Sequence, residues 1–346
     1  MGMFPYYIAL LFVLICAYQY ESYLPEIKKR NILIISLMPV FCLLAFKSEN
    51  VGVDTMNYIQ MFNTSGEFQA VDNESRIELG YQYLTILLNR ISDSNQSLFI
   101  ASAFIICISL FSFLKRTATN PPLALFFFLT MGFFQFSLTG IRQAISIAIT
   151  LNAMAFIEQK KVLKFLVIIL LAALFHKSAL FCLPLYWVMN LDVNKRNVIY
   201  VTIGMCIVYF LAEPLLLVAA DMLNYDYGVE STDNGFIFMS VVLLITVLCY
   251  LQRKKLQECK ISNKYLINAN YLSLMLWVIR LISRTAERVA LFFMPYTYVA
   301  LEEYLVSRPA RDRNTYIIIA LIVATYLFIH RMSPNEHLNN YTFFWQ

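Results

Sequence analysis

"LFIASAFIICISLFSFLKRT", running from Leu98 to Thr117, carries seventeen residues without a charge and then closes on a Lys-Arg pair. A helix rises about 1.5 Å per residue, so a run of this length covers most of a hydrocarbon core about 30 Å thick. Apolar and polar residues do not alternate in it, which excludes a barrel strand. Similar runs recur along all 346 residues, of which 60% are hydrophobic and only 14% charged. Mean hydropathy is +0.62. A soluble domain is about one-quarter charged, so composition alone assigns an all-α polytopic integral membrane protein.

About twelve transmembrane helices fit the text, at roughly 4–20, 31–47, 97–114, 122–138, 142–158, 162–176, 178–190, 197–219, 235–251, 265–283, 287–305 and 314–330. Phe4 to Tyr20 reads as the first retained span, because it lacks a basic leader and a small-residue cleavage site. The connectors "EIKKR", "LKRT", "QKKVLK", "NKR", "QRKKLQECKISNK" and "SRPARDR" hold eighteen of the twenty-seven Lys and Arg residues, so they are expected in the cytoplasm. Parity then makes Leu79 to Ile91 an amphipathic helix lying on or re-entering the outer face, and folds 162–190 into a hairpin at His176-Lys177. Neither a repeat nor a linker divides the chain, which reads as one domain, 1–346. The seven cysteines show no CxxC spacing and read as small buried hydrophobes. The net charge of +5 is spent on sidedness, not on nucleic acid.

The expected outer side holds fourteen of the twenty-two acids and all three histidines. Its largest segment, about 48–96, contains "VGVDTMNY" with Asp54 and Tyr58, and "RIELGY" with Glu78 and Tyr81. In "WVIRLISRTAER", Arg280, Arg284 and Arg288 recur every four residues, one face of a continuous helix. They read either as a collar reaching lipid headgroups or as a clamp for phosphate oxygens. "LTGIRQAISIA" sets Arg142 and Gln143 at an outward helix start, a stop signal or an anion site. "ALFHKSALF" puts His176 at a membrane turn, as a structural residue or a general base. No P-loop, GxGxxG, HExxH or GxSxG element appears, nor an acidic DxD cluster for a divalent metal, so neither cofactor nor metal is expected.

In this order the fragments resemble the EpsG family of bacterial polysaccharide polymerases, related in role to Wzy-type O-antigen polymerases. Gly52, Asp54, Thr55 and Tyr58 are similar to its G-x-D-T-x-x-Y signature, and Glu78, Gly80 and Tyr81 to its E-x-G-Y element. Arg142-Gln143 resembles its RQ pair, with Ile141 where leucine is common. Phe175-His176 with Ser178 and Ala179 resembles the F-H-x-S-A turn, Arg288 the late arginine, and "NNYTFFWQ" the aromatic tail.

The resemblance implies a GT-C-like enzyme of the bacterial inner membrane that joins undecaprenyl-diphosphate-linked oligosaccharide repeat units, as donor and acceptor, at the periplasmic face. His176 and Asp54 would be catalytic. Arg142 and Arg288, helped by Arg280 or Arg284, would bind diphosphate, and Glu78, Tyr58, Tyr81 and Gln143 would bind sugar. Membrane lipids, a flippase and a chain-length regulator are the expected partners. The competing readings are a flippase for the same lipid-linked glycan, an O-antigen ligase, and a membrane acyltransferase.

Overall fold

The computed structural model describes residues 2–20, 23–68, 71, 77–211, 214, 218, 235–281 and 285–346. Arg284 lies outside them, as do parts of the 48–96 and 197–219 segments. Among the described residues the chain is helical, and its one strand-like contact is the bridge Lys47–Phe343. The helices are α1 (Phe4–Gln19), α2 (Glu26–Ala45), α3 (Thr55–Phe68), α4 (Leu79–Asn89), α5 (Gln96–Thr117), α6 (Pro121–Thr130), α7 (Phe133–Thr139), α8 (Ile141–Leu151), α9 (Met154–Glu158) and α10 (Val162–Ala173). A 3-10 turn, Lys177–Cys182, precedes α11 (Leu185–Asn190), α12 (Lys195–Phe210), α13 (Phe236–Leu251), α14 (Arg253–Cys259), α15 (Asn263–Ile279), α16 (Thr285–Ala290), α17 (Met294–Val306), α18 (Ala310–Met332) and α19 (Glu336–Asn339).

Several helices can cross a membrane. Alone, α5, the stretch Ile141–Glu158 and α18 are long and apolar enough, with 22, 18 and 23 residues. The pairs α6–α7 and α13–α14 qualify together, bent by 60° and 73°. The centre of the packing is α6, "PPLALFFFLT", which has no polar face and buries all ten residues. Packed around it are α1, α2, α5, α17 and α18.

The span expected at 122–138 is broken. Gly132 takes φ +105°, which ends α6, and the Tyr298 hydroxyl donates to the freed Met131 carbonyl at 2.8 Å. The span expected at 287–305 breaks likewise, into α16 and α17, with Pro295 opening the second piece. The hairpin at His176 is present. Helix α10 stops at Ala173, His176 is extended, and α11 returns to pack on α9, beside the start of α10. In α4, Leu79, Tyr83 and Leu87 form an exposed apolar stripe, the pattern of a helix resting on an interface.

The two ends of the bundle differ chemically. At one end the basic connectors meet: Arg116 pairs with Glu158 at 3.4 Å, and Lys260 reaches the Thr117 carbonyl at 2.7 Å and Glu303 at 3.5 Å. Glu302 accepts from the Asn120 amide at 2.6 Å and stays fully buried. At the other end lie Lys47, Asp54, Glu78, Arg142, His176 and Arg288. Exposed Ser94 belongs to that end and exposed Cys259 to the first. A membrane-impermeant thiol reagent is therefore expected to reach a Ser94→Cys probe and Cys259 from opposite sides, with the other cysteines replaced. Labelling of both from the same side refutes this arrangement.

Candidate active site

The G-x-D-T segment is folded around Lys47. This side chain is 1% exposed, and its ammonium donates to the Val51 carbonyl at 3.0 Å, to Thr55 Oγ1 at 2.8 Å and to the Leu138 carbonyl. The Phe99 ring lies 4.9 Å away. Gly52 adopts φ +98° and presses on the Leu138 carbonyl, where a Cβ has no room, while its own amide donates to the His337 carbonyl at 3.0 Å. Glycine and threonine are thus needed to close the turn, and the turn carries Asp54, half-buried, to the rim of a cleft. Burial lowers the Lys47 ammonium to about 7, against the charge of Asp54, which raises it.

The E-x-G-Y element has its own steric reason. A Cβ on Gly80 would stand 2.8 Å from the Leu174 Cβ and carbonyl oxygen, so only glycine lets the first turn of α4 lie on the end of α10. The Gly80 amide donates to that carbonyl at 2.8 Å. This contact brings Glu78, 5% exposed, to Arg142, with Oε2 2.6 Å from Nη1. Its Oε1 accepts from the Lys177 amide at 3.3 Å. Both carboxylate oxygens are occupied, so Glu78 orients Arg142 from below the cleft and does not line it. Tyr81 is also beneath, edge-on to Tyr58 at 5.9 Å, and burial pushes both phenols up.

The cleft has a volume of about 180 Å³ and gathers Asp54, Tyr58, Arg142, Gln143, His176 and Arg288 on its walls. Gln143 Nε2 donates to the Arg288 carbonyl at 2.5 Å, tying α8 to α16. Its Oε1, buried, has no hydrogen-bond partner among the described residues and is available to a ligand hydroxyl. Among the described residues no three His, Cys, Asp or Glu side chains converge as a cation-holding set.

His176 is 3% exposed, and its Nδ1 accepts from the Ser178 amide at 3.3 Å, leaving the ring proton on Nε2. Burial lowers its pKa to about 4, with Arg142 and Arg288 acting in the same direction and Glu78 opposing them. The lowered pKa favours the neutral ring, unlike the expected titration near neutral pH, and with Nδ1 engaged by a backbone amide the ring would meet a ligand through Nε2.

Arg280 and Arg288, eight residues apart, do not share a helix. Arg280 caps α15, where the chain turns, and Arg288 lies on α16. Arg280, 1% exposed, pairs with Glu287 at 2.7 Å, away from the cleft that Arg288 lines. Sequence pattern does not single out Lys47; its position at the end of a span, eight residues before Thr55, is the available signal.

The depressed His176 pKa has a signed consequence. An unfolded histidine takes a proton below about 6.5, and the folded one resists until about 4. Its stabilising effect is therefore complete above 6.5 and is lost as pH falls toward 4, by about 3 kcal/mol. Thermal unfolding in detergent should fall more steeply over this window for the wild type than for His176→Gln. Parallel profiles contradict a buried neutral imidazole.

The EpsG family model matches residues 30–344. No curated protein and no solved structure matches the chain. Since the family match begins within α2 and extends into the aromatic tail, it takes in every segment that shapes the cleft, and the chain belongs to the EpsG family, a family of Wzy-like polymerases.

Proposed function

We propose that the protein polymerises undecaprenyl-diphosphate-linked oligosaccharide repeat units at the periplasmic face of the bacterial inner membrane, in O-antigen or capsule synthesis. In this reading about twelve spans surround the site in a GT-C-like arrangement, and a flippase and a chain-length regulator work beside it. The observation that carries it is one cleft holding two arginines, a carboxylate and a neutral imidazole, at the end opposite the basic connectors.

The acceptor hydroxyl attacks the anomeric carbon of the donor as the bond to diphosphate breaks, inverting that carbon. Lipid diphosphate departs with the bonding electrons, and the hydroxyl proton passes to Asp54. Arg142, held by Glu78, and Arg288 meet the developing charge, so positive charge is supplied without metal. His176 donates from Nε2 to a diphosphate or sugar oxygen. Gln143 and Tyr58 contact the sugar.

Deletion should remove the ladder of long glycans from gels of surface polysaccharide and leave single capped repeats. Arg142→Ala and Arg288→Ala should fail to restore it, each costing about 2–5 kcal/mol, roughly thirty- to several-thousand-fold in transfer. Lysine should rescue poorly, because it keeps charge and loses the planar fork. With purified lipid-linked repeats, Asp54→Asn should lose more turnover than His176→Ala, and EDTA should change nothing. A full ladder after deletion refutes the reading, and loss of all capped repeats points to a ligase instead.

A further inference from the structure

On α16, Glu287 and Arg288 are consecutive, and they face different cavities. Arg288 lines the small cleft, while Glu287 lines a pocket of about 510 Å³ with Phe236, Phe238, Trp277, His330 and Arg331. Ligand pockets usually measure about 300–1,000 Å³. The cleft, at about 180 Å³, falls below that range, so a lipid-linked oligosaccharide cannot be held there whole.

The larger pocket is a built polar site on an aromatic base. Trp277 and Phe238 stack at 5.4 Å with 17° between their planes, and the Arg331 guanidinium lies 4.8 Å over the Phe238 ring. Glu287 is fixed from two sides, by buried Arg280 at 2.7 Å and by Arg331 at 3.5 Å. Gly132 makes room for this, since a Cβ there would stand 2.6 Å from Arg331 Nη1. Phe236, 59% exposed, adds an aromatic wall.

Both guanidiniums at this wall, Arg280 and Arg331, are already engaged by Glu287, so neither is held ready for a phosphate. Carboxylate, guanidinium and imidazole beside the exposed Phe236 ring suit a ligand with many hydroxyls and an apolar C–H face. We propose that this pocket is a glycan subsite, holding sugar residues of one lipid-linked reactant while its diphosphate occupies the cleft across α16. The assignment rests on the polymerase reading and adds the place where the saccharide is recognised.

The test uses full-length protein in detergent and two probes: geranyl diphosphate, and the repeat-unit oligosaccharide released by mild acid from the lipid-linked intermediates of cells carrying this protein. Glu287→Gln and Phe236→Ala should each weaken oligosaccharide binding at least tenfold and leave geranyl diphosphate unchanged. Arg142→Gln should do the reverse. Phe236 is exposed, so its variant is expected to fold even if loss of the Glu287 charge unsettles Arg280. Ladder formation that depends on the protein, with oligosaccharide binding untouched in both pocket variants, overturns the subsite alone. A ladder that survives deletion of the protein overturns the polymerase reading, and the subsite with it.

Discussion

A single carboxylate, Glu78, holds three parts of the molecule in register. It comes from the segment outside the spans, lies 2% exposed at the side chain, and is neutralised by Arg142 of α8 at 2.6 Å. A carboxylate so far from water needs that partner. Removing one side of a buried pair typically costs about 3–5 kcal/mol, because the other charge is left behind. The same carboxylate caps the turn after α10 through the Lys177 amide, and Gly80 admits α4 to the position where all this is possible. The guanidinium therefore enters the cleft with its orientation already fixed, which suits electrostatic stabilisation of a departing anion.

A second buried charge solves a related problem by a different route. Among the described residues Lys47 has no carboxylate at bonding distance, and it is held by two carbonyls and a hydroxyl instead. These are fixed dipoles of the backbone and of Thr55, so the ammonium staples the loop, α3 and the end of α7 together. The polar sequence here supplies what this fastening needs, a hydroxyl and carbonyls placed around the lysine.

Much of this was legible from local pattern. Charge-free runs closed by basic pairs gave α5 and α18 within a few residues, and the hairpin at His176 followed from parity and the sidedness of its neighbours. What escaped depends on depth and on three-dimensional neighbours. The spacing of Arg280 and Arg288 describes a helix only if the helix continues, and it stops at Ile279. Protonation of His176 depends first on its burial, and then on Glu78 and two arginines brought by other elements. The resemblance offers Glu78 as a sugar ligand, while the sequence says nothing of its pairing with Arg142, sixty-four positions away.

The loop before Asp54 is closed by residues from much later in the chain. Ser48 donates to the Thr342 carbonyl at 2.9 Å, the Phe344 amide to the Phe46 carbonyl at 3.0 Å, and the hydroxyls of Ser48 and Thr342 lie 2.6 Å apart across 294 positions. Contacts of such separation form late, since the loop entropy of everything between must be overcome first. A nascent chain with most helices already inserted still lacks this clasp, and the aspartate has no fixed place. Residues 337–344 must therefore be in place before the turn that carries Asp54 is closed.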